Sequence, residues 1–405
     1  MRFFVITIAL LVLPFAQSAE LEFFDRLMEG LLKKYDVPGG SLAISKDGRL
    51  VYARGFGFAD IDSKTRVTPK SRFRIASVSK PFAGVAILTL VERGKLQLDD
   101  RVYDLIDPVP LPPGTQIHPQ TNEVTVRHLL QHTSGQEGQR LSGDRSSPMQ
   151  PPISRDISEM YGVPHPPEFR YVMGYMRSRE PINVPGKGYF YSNYGYALLG
   201  KVVETVSGMS FEEYVKEQVL APVKVTRMEL GKTRRSDRLR DEVTYYDLPG
   251  KQPSSSVFAG EVADAFPYAG WHHEGWGAAG AWIASPSDVV RFVNHVDGRR
   301  MPQILSRDSV SEMVARNSAT ESRPGFYYGL GWRIQKKKVG HHWYHDGSSS
   351  VGAGTMMLRS ANGFAWCASF NRRMPAGRLL YKEFNSAMWK LTRETKAWPT
   401  HDLFD

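Results

Sequence analysis

Residues 72–82, RFRIASVSKPF, place Ser77 three positions before Lys80, where an apolar helical run begins. Residues three apart on a helix share a face, so the lysine amine can reach the serine hydroxyl and take its proton. The same spacing fits an ordinary helix start, with Ser77 or Ser79 as the N-cap and Lys80 in solvent. The following residues argue for burial of the lysine. Val78, Phe82, Val85, Ile87, Leu88, Leu90 and Val91 cover several faces of the helix, and burial disfavours a charged ammonium. Pro81 falls in the first turn, where its missing N–H costs little. A helix starting near Ser77 also aims backbone N–H groups at any oxyanion that develops there.

Upstream, Leu21, Phe24, Leu27, Met28, Leu31 and Leu32 form a helical stripe ended by Pro38 and Gly39. Asp47-Gly48 then separates two strand-like runs, the pattern of a tight hairpin. Downstream of the central helix, which Gly94 closes, the chain reads as helices and long loops from about Leu96 to Gly340. Two of these loops are rich in Pro, Ser and Gly: QEGQRLSGDRSSPMQPPISRD at 136–156 and DLPGKQPSSSVFAGEVADAF at 247–266. Long ordered loops of this kind often carry specificity. Strand patterns return in HHWYHDG (341–347), GAGTMMLRS (352–360) and GFAWCASFN (363–371), before a closing helix in GRLLYKEFNSAMWKLT (377–392). This order predicts an α/β (α+β) fold in which both chain ends build one antiparallel sheet flanked by helices. A helix-rich subdomain is inserted between them. The sheet part would span about 20–75 and 325–395, and the helical part about 76–324.

The chain has 405 residues, 41% of them hydrophobic and 23% charged, with a formal net charge of +10 at pH 7. That composition excludes a disordered or fibrous protein. The basic residues are scattered, and runs such as KTRRSDRLR and QKKKVG read as solvated loops, so no nucleic-acid partner is expected. Residues 1–19 combine Arg2, an apolar run from Phe3 to Phe15, and small residues at Ala16, Ser18 and Ala19. This is the layout of a cleaved secretory signal. The run is short for a membrane span and contains Pro14, and no later segment is apolar enough to cross a bilayer. The expectation is an exported protein, periplasmic or extracellular, with residues 20–405 forming its working domain. A single cysteine, Cys367, excludes an intramolecular disulfide.

Two further stretches carry chemistry. In YFYSNYGYALLG (189–200), Tyr191 and Asn193 lie two apart just before a helical pattern. A phenol can relay a proton and an amide can hold a substrate amide, although Ser192 and Asn193 also suit helix capping, with Tyr191 packed beneath. In HDGSSSVGAG (345–354), His345 and Gly347 share a strand face, and glycine lets a ligand approach the backbone.

The order Ser77-x-x-Lys80, Tyr191-x-Asn193, His345-x-Gly347 resembles the serine β-lactamase and penicillin-binding protein family. The likeness is to the branch with class C β-lactamases, D-alanyl-D-alanine carboxypeptidases, D-aminopeptidases and related esterases. LLQHTSG (129–135), VPGKGYFYSN (184–193), GAAGAWIASPSDVVRF (277–292) and YGLGW (328–332) are similar as well, and the likeness runs from about Leu21 to Lys390. It implies a β-lactamase/transpeptidase-like fold and hydrolysis through a Ser77 acyl-enzyme. Lys80 would be the base partner and Tyr191 the proton relay. Asn193, His345 and Gly347 would bind substrate, and the backbone N–H groups of Ser77 and Ser348 would form the oxyanion hole.

The implied substrate is a small peptide, carboxylic ester or β-lactam-like compound, of cell-envelope origin if the protein is exported. A non-catalytic or slowly deacylating penicillin-binding or envelope assembly protein is the alternative. This chain departs from the family pattern in two ways. Asp346 stands where many members carry threonine, which sets an anion where a hydroxyl would donate. His345 replaces the lysine of many β-lactamases, which weakens the positive charge near neutral pH. Both departures favour peptides or esters over efficient β-lactam hydrolysis.

Acyl-serine chemistry needs no cofactor, and none is expected. For metals, His341, His342 and His345 cluster in sequence, as do His272, His273 and Glu274, but neither group has zinc-protease spacing. His128 and His132 are spaced as helix ligands, yet Leu129 stands where a catalytic glutamate would be. No metal site is expected, and His132 reads as a structural hydrogen-bonding residue after a helix.

Overall fold

A computed structural model describes residues 21–136, 147–348, 351–374 and 377–404. The signal-like residues 1–19 and much of the first Pro- and Ser-rich loop lie outside them.

The apolar stripe that opens the chain forms α1 (Glu22–Lys34), whose Phe24, Met28, Leu31 and Leu32 are buried. Strands β1 (Gly39–Lys46) and β2 (Arg49–Asp60) follow as an antiparallel pair. The turn between them places Asp47 at φ +50° and Gly48 at φ +82°. Positive φ at both central residues matches the right-handed twist of the flanking strands, which is why Asp-Gly fits here. Short β3 (Thr65–Arg66) pairs with β2 at the sheet edge.

At the other end of the chain lie β7 (Phe326–Tyr328), β8 (Arg333–Lys336), β9 (His341–Gly347), β10 (Gly354–Arg359) and β11 (Phe364–Phe370). The eight strands run in the order β3-β2-β1-β11-β10-β9-β8-β7. The two chain ends meet at the centre, where Leu42 on β1 faces Ala368 on β11 and Ala43 faces Cys367. Alternation along the strands then builds two cores. On one face, Leu42, Ile44, Tyr52 and Trp366 pack with α1 and with Phe384 and Met388 of the closing helix Gly377–Glu394. On the other, Ala43, Ile334, Trp343 and Cys367 join the core of the helical part.

That second core holds α2 (Lys80–Glu92), in which every residue from Lys80 to Leu90 is buried. Phe82 stacks on Phe292 of helix Pro286–Val296, with ring centroids 3.9 Å apart. Gly84 permits close approach to the YGLGW loop, since a Cβ there would lie 2.7 Å from the Leu330 carbonyl oxygen. Gly94, at φ +65°, turns the chain out of the helix and donates to Val91.

A second sheet that sequence patterning does not reveal joins the two parts. Its strands β4 (Phe73–Arg74), β5 (Glu229–Leu230) and β6 (Trp282–Ala284) run in the order β4-β6-β5. Two- and three-residue strands are too short for an alternating signal. Their work is local: β6 clamps the chain just before Ser77, with Phe73 opposite Ala284 and Arg74 opposite Ile283. Among the described residues, no helix is long and apolar enough to cross a membrane.

Candidate active site

The segment before α2 is a tight turn fixed from outside. Ile75 donates its N–H to the Trp282 carbonyl at 3.0 Å, and the next residue, Ala76, sits at φ +46°. A side chain in the left-handed region is costly, and persists only where the surroundings enforce it. Residues Ala76–Ser79 then form one 3₁₀ turn that leads into α2. Ser79, at the cap position of α2, makes no side-chain cap hydrogen bond, and its hydroxyl accepts instead from the Trp282 N–H at 3.3 Å.

Lys80 is 0% exposed, and its ammonium is held by polar groups from three separate segments. Nζ donates to the Ala279 carbonyl at 2.7 Å and to Asn193 Oδ1 at 2.9 Å, and lies 3.4 Å from Ser77 Oγ. It also sits 4.8 Å from the centre of the Tyr191 ring and 5.3 Å from that of Tyr196. A buried cation is tolerable only when paired or fully hydrogen-bonded, and here carbonyl, amide and aromatic groups do that work.

Tyr191 and Asn193 arrive together. Ser192 caps helix Asn193–Ser207 by accepting from Gly195 N–H at 2.8 Å, and donates to the Gln136 carbonyl at 2.6 Å. With Ser192 as the cap, Asn193 is left to meet Lys80. Burial pushes the Tyr191 phenol well above its usual range, and a hydrogen bond with Ser77 partly offsets this. His132 supports the ring from beside it, with centroids 4.2 Å apart. His132 follows helix Val126–Leu130 in a left-handed conformation, φ +58°, and its Nδ1 accepts the Ser192 N–H at 3.0 Å. It therefore does not share a helix face with His128, whose Nδ1 accepts from the Thr125 N–H.

The third side of the site is β9. Its residues 341–344 pair with β8, whereas 343–347 pair with β10, so His345 to Gly347 have no strand partner on the β8 side. Gly347 lies against the serine turn, where a Cβ would fall 2.4 Å from the Ile75 carbonyl oxygen. Ser348 follows directly and is exposed. His345 is 1% exposed; its Nδ1 donates to the Asp346 carbonyl and its Nε2 accepts from Tyr328, each at 2.9 Å. Burial, and then the nearby Arg333 and Lys80 charges, hold the imidazole well below its ordinary value. His345 is thus neutral near pH 7 and contributes a hydrogen-bonding ring rather than the weakened positive charge expected from sequence.

Residues 24–384 match the family described as Beta-lactamase. The chain belongs to that family. Among curated relatives it is similar to Protein flp of Staphylococcus aureus (strain N315), 28% identical over 229 residues, 56% of this chain and 42% of that protein. The chain therefore spans less than half the length of that relative. It is also similar to Penicillin-binding protein 4* of Bacillus subtilis (strain 168), 27% identical over 82% of this chain and 67% of the relative. A solved structure of the octameric penicillin-binding protein homologue from Pyrococcus abyssi aligns over 91% of this chain and 77% of its own, at 26% identity and a TM-score of 0.68. The D-amino acid amidase from Ochrobactrum anthropi SV3 shares the fold, at 22% identity and a TM-score of 0.64 over 92% of this chain and all of the other.

The structure brings Ser77, Lys80, Tyr191, Asn193, His345 and Gly347 to one place. Sequence reading missed four participants: the Ala279 carbonyl, the strained Ala76, Tyr328 and Arg333. Arg333 lies 5.7 Å from the Tyr191 ring centre and forms an ion pair with Asp346 at 3.3 Å. YGLGW, the family-like stretch that contains Tyr328, was the available signal for the Tyr328–His345 contact. Arg74 ties the surrounding loops together, its guanidinium donating to the carbonyls of Pro267 at 2.6 Å, Lys232 at 2.7 Å and Val351 at 3.2 Å. Among the described residues no three metal-ligand side chains converge.

Proposed function

We propose that this Beta-lactamase family member is a serine hydrolase that forms an acyl-enzyme on Ser77 from an amide or ester. The observation that carries this reading is Lys80: a fully buried amine nitrogen 3.4 Å from Ser77 Oγ, held by Asn193 and the Ala279 carbonyl. Burying a cation is expensive, and a buried amine beside a hydroxyl is an arrangement suited to proton transfer.

In this reading Ser77 Oγ attacks the substrate carbonyl carbon while its proton passes to Lys80 Nζ. As an unprotonated amine, Lys80 keeps two N–H groups for Ala279 and Asn193 and a lone pair for Ser77, and it then returns the proton to Tyr191. The backbone N–H groups of Ser77 and Ser348 receive the oxyanion. Tyr191 is kept protonated by burial, so it suits delivery of a proton to the departing amine or alcohol as the carbonyl bond to it breaks. Water then adds to the acyl ester, releasing a carboxylic acid and restoring Ser77. The open β9 edge at 345–347 receives an extended substrate by backbone hydrogen bonding, and Asn193 orients its acyl-side amide.

The amidase neighbour and the neutral His345 both favour peptide, amide or ester substrates over efficient β-lactam hydrolysis. The test is hydrolysis of D-alanyl p-nitroanilide, p-nitrophenyl butyrate and a chromogenic β-lactam by wild type and Ser77→Ala. Turnover retained by the mutant would remove the proposal, whereas acylation without release would mark a slowly deacylating penicillin-binding protein. Export is the companion proposal, supported by the signal-like residues 1–19. The mass of the protein secreted by a producing cell would be short by those residues; an intact N-terminus would exclude cleavage.

A further inference from the structure

Asp346 lies between His345 and Gly347 on β9, and its carboxylate is engaged by Arg333 of the same chain. Arg333 projects from β8, and its guanidinium lies 5.7 Å from the Tyr191 ring centre and 6.0 Å from that of Tyr328. It thus stands at the rim of the cleft, one aromatic ring away from Ser77. Its Nε is 3.3 Å from Asp346 Oδ1, yet that buried N–H makes no hydrogen bond. The pair is joined by charge without aligned hydrogen-bond geometry. Beside the pair, between the sheet and the closing helix, lies a cavity of about 410 Å³ lined by Arg333, His345, Asp346, Met356, Tyr381 and Lys382. His345 is neutral there, and Lys382 is exposed on the closing helix, where solvent screens its charge.

A carboxylate on the leaving side of a substrate lying along the 345–347 edge would meet the Asp346 charge and find Arg333 already taken. We propose that Asp346 is a specificity residue that occupies Arg333 and excludes carboxylate-bearing leaving groups, so that the hydrolase takes amides and esters whose leaving side is uncharged. This rests on the serine hydrolase reading given above. The class of substrate follows: amino-acid amides, neutral esters and peptides with a blocked end, rather than peptides ending in a free carboxylate.

The test uses the whole protein and two aryl phosphonates that differ only in a 4-carboxyphenyl or 4-carbamoylphenyl leaving group. Ser77 Oγ forms the P–O bond, and the phenol leaves with the Ser77 proton, so labelling rates report access without requiring a known substrate. Wild type should label faster with the neutral probe. Asp346→Asn should shift the ratio toward the anionic probe by roughly tenfold, Asp346→Thr should do the same, and adding Arg333→Gln should reverse the shift. A simple fluorophosphonate should still label Ser77 in wild type and in both Asp346 variants, which shows an intact nucleophile, and the ratio of the two aryl probes is compared within each protein. An unchanged ratio in both Asp346 variants, or a wild-type preference for the anionic probe, would overturn the proposal. Failure of the simple fluorophosphonate to label Ser77 in wild type would instead overturn the hydrolase reading, and this inference with it.

Discussion

Replacing Lys80 by methionine keeps the length of the stem and removes the ammonium. Two buried acceptors then lose their donor: the Ala279 carbonyl, now at 2.7 Å, and Asn193 Oδ1, at 2.9 Å. A buried acceptor left without a partner costs about 1–3 kcal/mol. Against this, the variant no longer desolvates an ammonium, a penalty of several kcal/mol in a folded protein. The opposing terms are similar in size, so the net stability change should be about 2 kcal/mol or less. Chemistry has no such compensation. Proton transfer by a positioned group is worth about 10²–10⁴ in rate, and a thioether in place of the amine offers no base. Phosphonylation of Ser77 should therefore fall by about 10³, while the urea midpoint followed by tryptophan fluorescence moves by less than about 1 M. A Lys80→Met protein that is labelled as fast as wild type would refute the reasoning. A variant that unfolds outright would show that Lys80 is chiefly structural.

Three further outcomes follow from the packing. Gly347→Ala should cut Ser77 labelling by about 10²-fold, because its Cβ would lie 2.4 Å from the Ile75 carbonyl oxygen and force β9 away from the serine turn; labelling at the wild-type rate would contradict this contact. Tyr328→Phe leaves the buried His345 Nε2 without its donor, and should lower stability by about 1–3 kcal/mol in urea unfolding; an unchanged midpoint would argue against that bond. His132, His273 and His345 are all held well below the ordinary value of 6.5, chiefly by burial. Between each folded value and 6.5 the unfolded chain binds more protons, so stability is full above about pH 6.5 and falls as pH drops below it, by up to about 1.4 kcal/mol per pH unit for each histidine. His273→Gln should flatten the stability profile between pH 6.5 and 5 by about that amount, and an unaltered slope would contradict its neutral state.

What the sequence made legible was local. The apolar spacing of α1, the Asp47-Gly48 turn and the strand runs near the C-terminus each carry their signal within a few residues. So do Ser77-x-x-Lys80 and Tyr191-x-Asn193, because one helix turn or one cap fixes the geometry. The partners that complete the site come from far along the chain. Lys80 meets the Ala279 carbonyl, a backbone atom that no side-chain pattern marks. The ion pair between Arg333 and Asp346 depends on β8 stopping its pairing at Tyr344, a register that follows from three-dimensional packing. Ala76 takes a backbone conformation that its side chain disfavours, so local propensity points away from what is found. The change of His345 from an expected weak cation to a neutral ring has the same origin, since burial is set by the packed sheet.

The central claim is that Ser77 is an activated nucleophile. Intact-protein mass after treatment with a fluorophosphonate, with Ser77→Ala in parallel, tests it most directly. One adduct on the wild type, mapped to Ser77, and none on the mutant is the expected result. No adduct on well-folded wild type, using a probe small enough to reach the site, or an adduct that persists in Ser77→Ala, would contradict the account.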